Sequence, residues 1–197
     1  MNPRLFALLA VAGMAISACS SVPNDRFYTL IDPAQQTNIT EVACASVAIN
    51  SVTLPQAVDR TELVLRNGTH GVTVMDGQRW AESLKNAIPR VLAGDLATKL
   101  QCANISTQAD NASRDAQYMV WVDITRFDSV LGQGSTLDAL WGVRNAAGNM
   151  SRKGSSHFTV AAHGGTYDDL VTAHAGGLAL LSADIAVQIK ELQKSGN

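Results

Sequence analysis

The residues best equipped for chemistry are three cysteines, Cys19, Cys44 and Cys102, four histidines, His70, His157, His163 and His174, and the adjacent carboxylates Asp168 and Asp169. Cysteines and histidines hold zinc when they fall at short fixed spacings, and a nucleophile works when a turn presents it beside a base. The spacings here do not fit either arrangement. The histidines are scattered, no Cys-x-x-Cys occurs, and neither Ser155-Ser156-His157 nor His163-Gly-Gly165 lies in a turn pattern that presents a nucleophile. G-x-S-x-G, Walker A, HExxH and G-x-G-x-x-G patterns are also missing, so the usual spacings for acyl transfer, phosphate cradling, zinc hydrolysis and dinucleotide binding are absent. Adjacent residues on a helix point about 100° apart, so Asp168 and Asp169 read as helix-capping acids and not as an acid and base pair. The expectation is a protein that is not an enzyme and that holds no metal and no cofactor.

Cysteine chemistry of another kind remains at the N-terminus. After the single charge Arg4, residues Leu5 to Ile16 form an unbroken apolar or small run, followed by Ser17-Ala18-Cys19-Ser20. Twelve residues are too few to cross a bilayer of about 30 Å as a helix, which takes about 20, so the run reads as a signal peptide. The tetrapeptide Ile16-Ser-Ala-Cys19 resembles the lipobox of bacterial lipoproteins, in which a peptidase cuts before a cysteine already carrying a diacylglyceryl group. On that resemblance residues 1–18 are a cleaved lipoprotein signal peptide, Cys19 is the lipidation site, and residues 19–25 are a lipidated tether. Two or three acyl chains, at about 0.8 kcal/mol per buried CH₂, anchor a protein stably without a spanning segment. Ser20 and Ser21 stand where Asp would favour inner-membrane retention, which points to the outer membrane and a periplasm-facing domain.

An oxidising envelope compartment also sets the expectation for the other two cysteines. Cys44 and Cys102 form an even pair there and read as a disulfide, which would stabilise by about 4 kcal/mol in the chain-entropy model. The whole chain of 197 residues is 46% hydrophobic and 16% charged, with a formal net charge of −2. That balance suits a globular domain and offers no basic stripe for nucleic acid.

Residues 26–194 read as a single α/β domain. Arg26 to Ile31 and Val42 to Val52 have strand composition, and Glu62 to Arg66 and His70 to Met75 flank Asn67-Gly68, a hairpin turn pair. From Asp76 to Gln101 the period becomes helical: Trp80, Leu84, Ala87, Ile88, Val91, Leu92, Leu96 and Leu100 share one face, with Pro89 expected to kink the helix or start a new one. Tyr118 to Phe127 alternates, with Tyr118, Val120, Val122 and Ile124 opposite Trp121, Asp123 and Thr125. Thr136 to Val143 and Ser156 to Ala162 read as further strands. Thr166 opens a last helix that turns Leu170, Val171, Leu178, Leu181, Ile185, Ile189 and Leu192 inward, although Gly176-Gly177 weakens its middle. Trp80 reads as core, whereas Trp121 and Trp141 fit either core or a contact surface.

The lipobox, the early Phe27-Tyr-Thr-Leu30, the run Val52 to Arg66 and the helix from Trp80-Ala-Glu-Ser-Leu84 to Leu96 together resemble the ABC-type transport auxiliary lipoprotein family of the PqiC type. The most specific part is Leu54-Pro55-x(3)-Asp59-Arg60-x-Glu-Leu-Val-x-Arg66, followed by Trp80-Ala-Glu; Ala57 departs from the aromatic expected before Asp59. The resemblance implies a mixed β-sheet packed with helices, of the anticodon-binding-domain-like class and similar to the TolB amino-terminal domain. It marks Leu54, Pro55, Asp59, Arg60, Arg66 and Trp80 as motif or partner positions. It also implies a ring-forming homo-oligomer under the outer membrane that docks a periplasmic MCE-domain protein for lipid transport. The competing expectation is a periplasmic lipoprotein that binds a lipid or other hydrophobic ligand without an MCE partner.

Overall fold

The computed structural model describes residues 24–30, 39, 44–102, 104–149 and 151–195; Cys19 and the chain before residue 24 lie outside them. Among the described residues, two sheets and two long helices make up the fold. A five-stranded sheet has the order β5-β2-β6-β7-β8, from β2 (Val47–Thr53), β5 (Ile105–Thr107), β6 (Tyr118–Val130), β7 (Gly134–Asn145) and β8 (Ser151–Ala161). A three-stranded sheet has the order β1-β4-β3, from β1 (Arg26–Tyr28), β3 (Glu62–Asn67) and β4 (Gly71–Trp80). Helices α1 (Leu84–Leu100) and α2 (Tyr167–Ser195) pack against each other and against one face of the large sheet. In the large sheet β2 runs parallel to both β5 and β6, while β6, β7 and β8 form an antiparallel meander. The expected mixed α/β class is therefore what the chain forms.

The face that each β6 residue takes follows from the pleat and one irregularity. Val120, Val122 and Ile124 are buried under the helices, as period-2 alternation requires. The register then shifts between Ile124 and Arg126, and one extra residue on a strand exchanges its faces. Beyond the bulge the odd-numbered Phe127 and Ser129 are buried, and Arg126 and Asp128 turn to the other side.

α2 begins with a reciprocal cap: the Thr166 backbone N–H donates to the Asp169 carboxylate at 2.9 Å, and the Asp169 N–H donates to Thr166 Oγ1 at 3.1 Å. The seven apolar residues expected to turn inward are all buried. Gly176 and Gly177 do not break the helix, because they let it approach the sheet closely. A Cβ at Gly177 would lie 3.6 Å from Leu137 Cβ, and one at Gly176 3.3 Å from Val160 Cγ1. The helix is long and apolar enough to cross a bilayer by length and composition, but its apolar stripe is spent on the core.

Two readings of the sequence need correction. Asp76 to Trp80 is strand, not the first turn of a helix: β4 continues to Trp80, whose N–H donates to the Thr61 carbonyl at 2.7 Å, and β1 pairs alongside in parallel. Trp80 reaches the core from a strand end, so the helical spacing to Leu84 is coincidental. Pro89 sits inside α1 without dividing it, since packing of Leu84, Ala87, Ile88, Leu92 and Leu96 outweighs one missing hydrogen bond. The short β5 and the 3-10 turn Asn111–Asp115 carried no readable periodicity. Past α1, Gln101 takes a left-handed conformation at φ 52° and turns Cys102 toward Cys44; the two form a disulfide with Cα atoms 5.8 Å apart, as expected.

Candidate docking surface

The motif residues between Leu54 and Arg66 gather where the two sheets and α1 meet. Pro55 starts a tight turn whose carbonyl accepts the N–H groups of Val58 at 3.0 Å and Asp59 at 3.2 Å. The turn aims Asp59 at Lys85 on the first turn of α1, 2.5 Å away. Arg60 reaches Glu62 at 3.5 Å, and Arg79 joins Glu62 and Asp25, each at 2.8 Å. The first contact ties the β2 to β3 loop to the start of α1, and the Arg79 contacts tie the strands of the small sheet to one another. Leu54 packs, half-buried, against the core.

Arg66 does the same between the sheets. Its Nη2 donates to both oxygens of Asp128 on β6, at 2.8 and 3.0 Å, and Arg126 Nε donates to Asp128 Oδ2 at 2.5 Å. Burial pushes the Asp128 carboxyl up, but the two guanidinium groups outweigh it and hold the group below the usual carboxylate range. The row continues across the strands: Arg126 lies 4.0 Å from Asp138 on β7, and Asp138 pairs with His157 on β8. Of the expected positions, Pro55 and Arg66 border one cleft, while Asp59 pairs with Lys85 and Arg60 with Glu62 at the other end of β3. Trp80 does not join them, being 6% exposed on the core side.

The large sheet has two unlike faces. On the helix side Trp141 lies over Gly154, where a Cβ would come within 2.3 Å of the indole. The indole Nε1 donates to Ser156 Oγ at 2.9 Å, and that hydroxyl donates to Asp184 of α2 at 2.6 Å. On the opposite face Trp121 carries the Arg144 guanidinium 4.9 Å from its ring centroid, in cation–π geometry. Leu140 beside it is 51% exposed, and Lys153, Ser155 and His157 on β8 are exposed as well. Of the two tryptophans left open by the sequence, Trp141 is packed under a helix and Trp121 faces outward.

A buried polar pair escaped the sequence reading. Ser129 Oγ and His174 Nε2 are hydrogen-bonded at 2.7 Å, with Phe127 stacked on the imidazole at 4.1 Å and Trp80 edge-on at 6.1 Å. Burial lowers the His174 pKa to about 3, against a smaller opposing pull from Asp128. A serine beside a histidine invites a nucleophilic reading, but both side chains are buried, His174 Nδ1 has no hydrogen-bond partner, and so depressed a base takes no proton at neutral pH. The pair is a neutral core contact. Its signal was the helical spacing that sets His174 between Val171 and Leu178 on the inward face.

Among the described residues no group of three His, Cys, Asp or Glu side chains could hold a metal. The larger hollows are open to solvent with mixed lining: one of about 610 Å³ beside the disulfide, bordered by Tyr118 and Lys190, and one of about 530 Å³ between β2 and α1. A cleft of about 120 Å³ lies at the joint, between Ala57, Val64, Val72 and Phe127.

Residues 28–186 match the family model of the ABC-type transport auxiliary lipoprotein component. The chain belongs to that family. As a member it is an auxiliary lipoprotein component of a transport system, the class its motif residues suggested. Nothing among curated proteins matches it. One solved structure of similar fold is described as an uncharacterized protein; it is 18% identical, with a TM-score of 0.68 over 84% of this chain and 99% of that one. Another, protein XCC0632 from Xanthomonas campestris, is 12% identical, with a TM-score of 0.63 over 89% of this chain and 97% of that one. A PelC dodecamer from Paraburkholderia phytofirmans is 11% identical, with a TM-score of 0.45 over 70% of this chain and 86% of that one.

Proposed function

We propose that this auxiliary lipoprotein is anchored in the outer membrane by acyl chains on Cys19 and docks the periplasmic MCE-domain protein of an ABC-type lipid transport system. The observation that carries the reading is the family match over residues 28–186, joined to a lipobox ending at Cys19. Residues 1–18 are then the cleaved signal, 19–25 the tether and 26–194 the periplasmic domain, working as a ring-forming homo-oligomer. The acyl anchor fixes the far end of a conduit between membranes, so the protein works by holding and not by catalysis.

The partner meets the open face of the large sheet, around Trp121, Leu140 and Arg144. Two features support that placement. A tryptophan, an exposed leucine and a stacked arginine are the residue types enriched at interface centres, and both helices pack on the other side.

Affinity recovery of the tagged, acylated chain from detergent-solubilised envelopes tests the reading. Co-recovery of an MCE-domain protein is expected; recovery of the chain alone contradicts it. Cys19→Ala is expected to abolish acyl labelling and globomycin-sensitive processing, and labelling that persists overturns the anchor. Native mass spectrometry of the purified domain separates docking from ligand carriage, since a lipid adduct favours the binding-module alternative.

A further inference from the structure

The cleft beside Arg66 borders a polar atom that the fold leaves unanswered. Its volume is about 120 Å³, and its walls come from Pro55, Ala57 and Val58 in the β2 to β3 loop, Val64 and Arg66 of β3, Val72 of β4 and residues 125–129 of β6. The other polar side chains of the lining are engaged. Thr125 Oγ1 donates to the Asp138 carbonyl at 3.3 Å, Ser129 Oγ is bonded to His174, and both Asp128 oxygens accept from guanidinium groups, one of them from Arg126 Nε. Arg66 is the exception. Its Nη2 is held by Asp128, which fixes the guanidinium plane, while its Nε is buried and finds no acceptor among the described residues.

A buried donor on a cation is costly to leave without an acceptor. A water in the cleft would meet only that one free side-chain group, whereas buried waters ordinarily make about three hydrogen bonds. The remaining walls are apolar, and Val72 and Ala57 are exposed, so the cleft opens to solvent between them. At about 30 Å³ for a group of water or methyl size, it has room for about four, the carbon count of a leucine side chain. The fitting acceptor is neutral, because a second carboxylate beside Asp128 would be both repelled and desolvated. An aliphatic side chain with a main-chain carbonyl next to it meets both requirements, and a polypeptide supplies the two together.

The neighbourhood of the cleft says which polypeptide. Arg126, in its lining, reaches Asp138 on β7, and Asp138 stands two residues from Leu140 on that strand, so both point to the open face. The cleft is continuous with the surface proposed above to meet the partner. We infer that it is a binding site for one aliphatic side chain of that docked partner, with the adjoining main-chain carbonyl accepting from Arg66 Nε–H. This deepens the docking reading and rests on it. A socket of this kind sets the position of the partner along the sheet, which side chains standing on an open face do not.

Two measurements on the full mature protein test the site. In proton-nitrogen NMR correlation spectra the Arg66 Nε–H signal, assigned by its loss in Arg66→Lys, is followed as N-acetyl-leucine N-methylamide is added, with N-acetyl-glycine N-methylamide as the control. A saturable shift is expected with the leucine compound alone; no shift, or equal shifts with both, overturns the inference. Ala57→Trp, at an exposed position, then sets an indole across the mouth of the cleft. Recovery of the MCE-domain protein from detergent-solubilised envelopes is expected to fall about tenfold, as for loss of one anchor residue, with the urea unfolding midpoint unchanged. Undiminished recovery by the variant overturns the inference and leaves docking on the open face standing. If the native chain itself recovers no MCE-domain protein, the docking reading falls and the inference falls with it.

Discussion

Phe127, Asp128 and Ser129 are neighbours on one strand, yet they belong to two different kinds of surface. Phe127 and Ser129 enter the helix-covered face, where the imidazole of His174 is kept neutral by burial. Asp128 turns the other way and stays charged between Arg66 and Arg126. On the covered face Ser129 and His174 form a neutral hydrogen-bonded pair. The open face carries charge because water and paired guanidinium groups hold it there. The first face stores stability, and the second is the one proposed above for recognition.

The largest expected contrast is in side-chain truncation. Leu181→Ala, at a fully buried position on α2, is expected to cost about 2–5 kcal/mol in urea unfolding. Leu140→Ala on the open face should stay within about 0.5 kcal/mol. Comparable losses at both sites would erase the distinction between the faces.

Next is Gly154→Ala, which places a methyl into the Trp141 ring and is expected to cost about 1–3 kcal/mol in the same assay. An unchanged midpoint would mean that the indole does not lie over β8.

The pH dependence follows from His174. Its folded pKa, about 3, lies below the ordinary 6.5, so its contribution to stability is complete above pH 6.5 and is lost as pH falls toward 3. The loss is about 1.4 kcal/mol per pH unit within that window, because the unfolded chain takes up the proton and the folded one does not. His174→Gln is expected to flatten unfolding free energy between pH 6 and pH 4; an unchanged slope assigns the effect elsewhere.

The smallest effect belongs to the ionic joint. Arg66→Ala removes one of two cations from a half-buried carboxylate and is expected to cost about 1 kcal/mol at neutral pH. The folded Asp128 pKa is depressed, so that contribution is present above the ordinary carboxylate pKa and disappears as pH falls through the folded value. A difference between wild type and variant that persists at still lower pH would contradict the pairing.

Much of this division was legible in the sequence. The alternation in Tyr118 to Ile124 gave both faces of β6 up to the bulge, and the spacing from Leu170 to Leu192 gave the buried stripe of α2. Asn67-Gly68 placed the hairpin turn. What escaped notice depends on distant pairing: β4 extends to Trp80 because β1 and Thr61 supply partners that no local period records. The pairing of Arg66 with Asp128 spans 62 residues and requires the bulge that turns Asp128 outward. His174 carried a readable position but no readable partner, since Ser129 lies across the core.

The assignment of recognition to the open face is tested most directly by photo-crosslinking in intact envelopes. A photoreactive residue is placed either at Leu140 or at Leu180, which is 45% exposed on α2. An adduct with an MCE-domain protein is expected from position 140 and none from 180. An adduct from 180 alone, or from neither position, would contradict it.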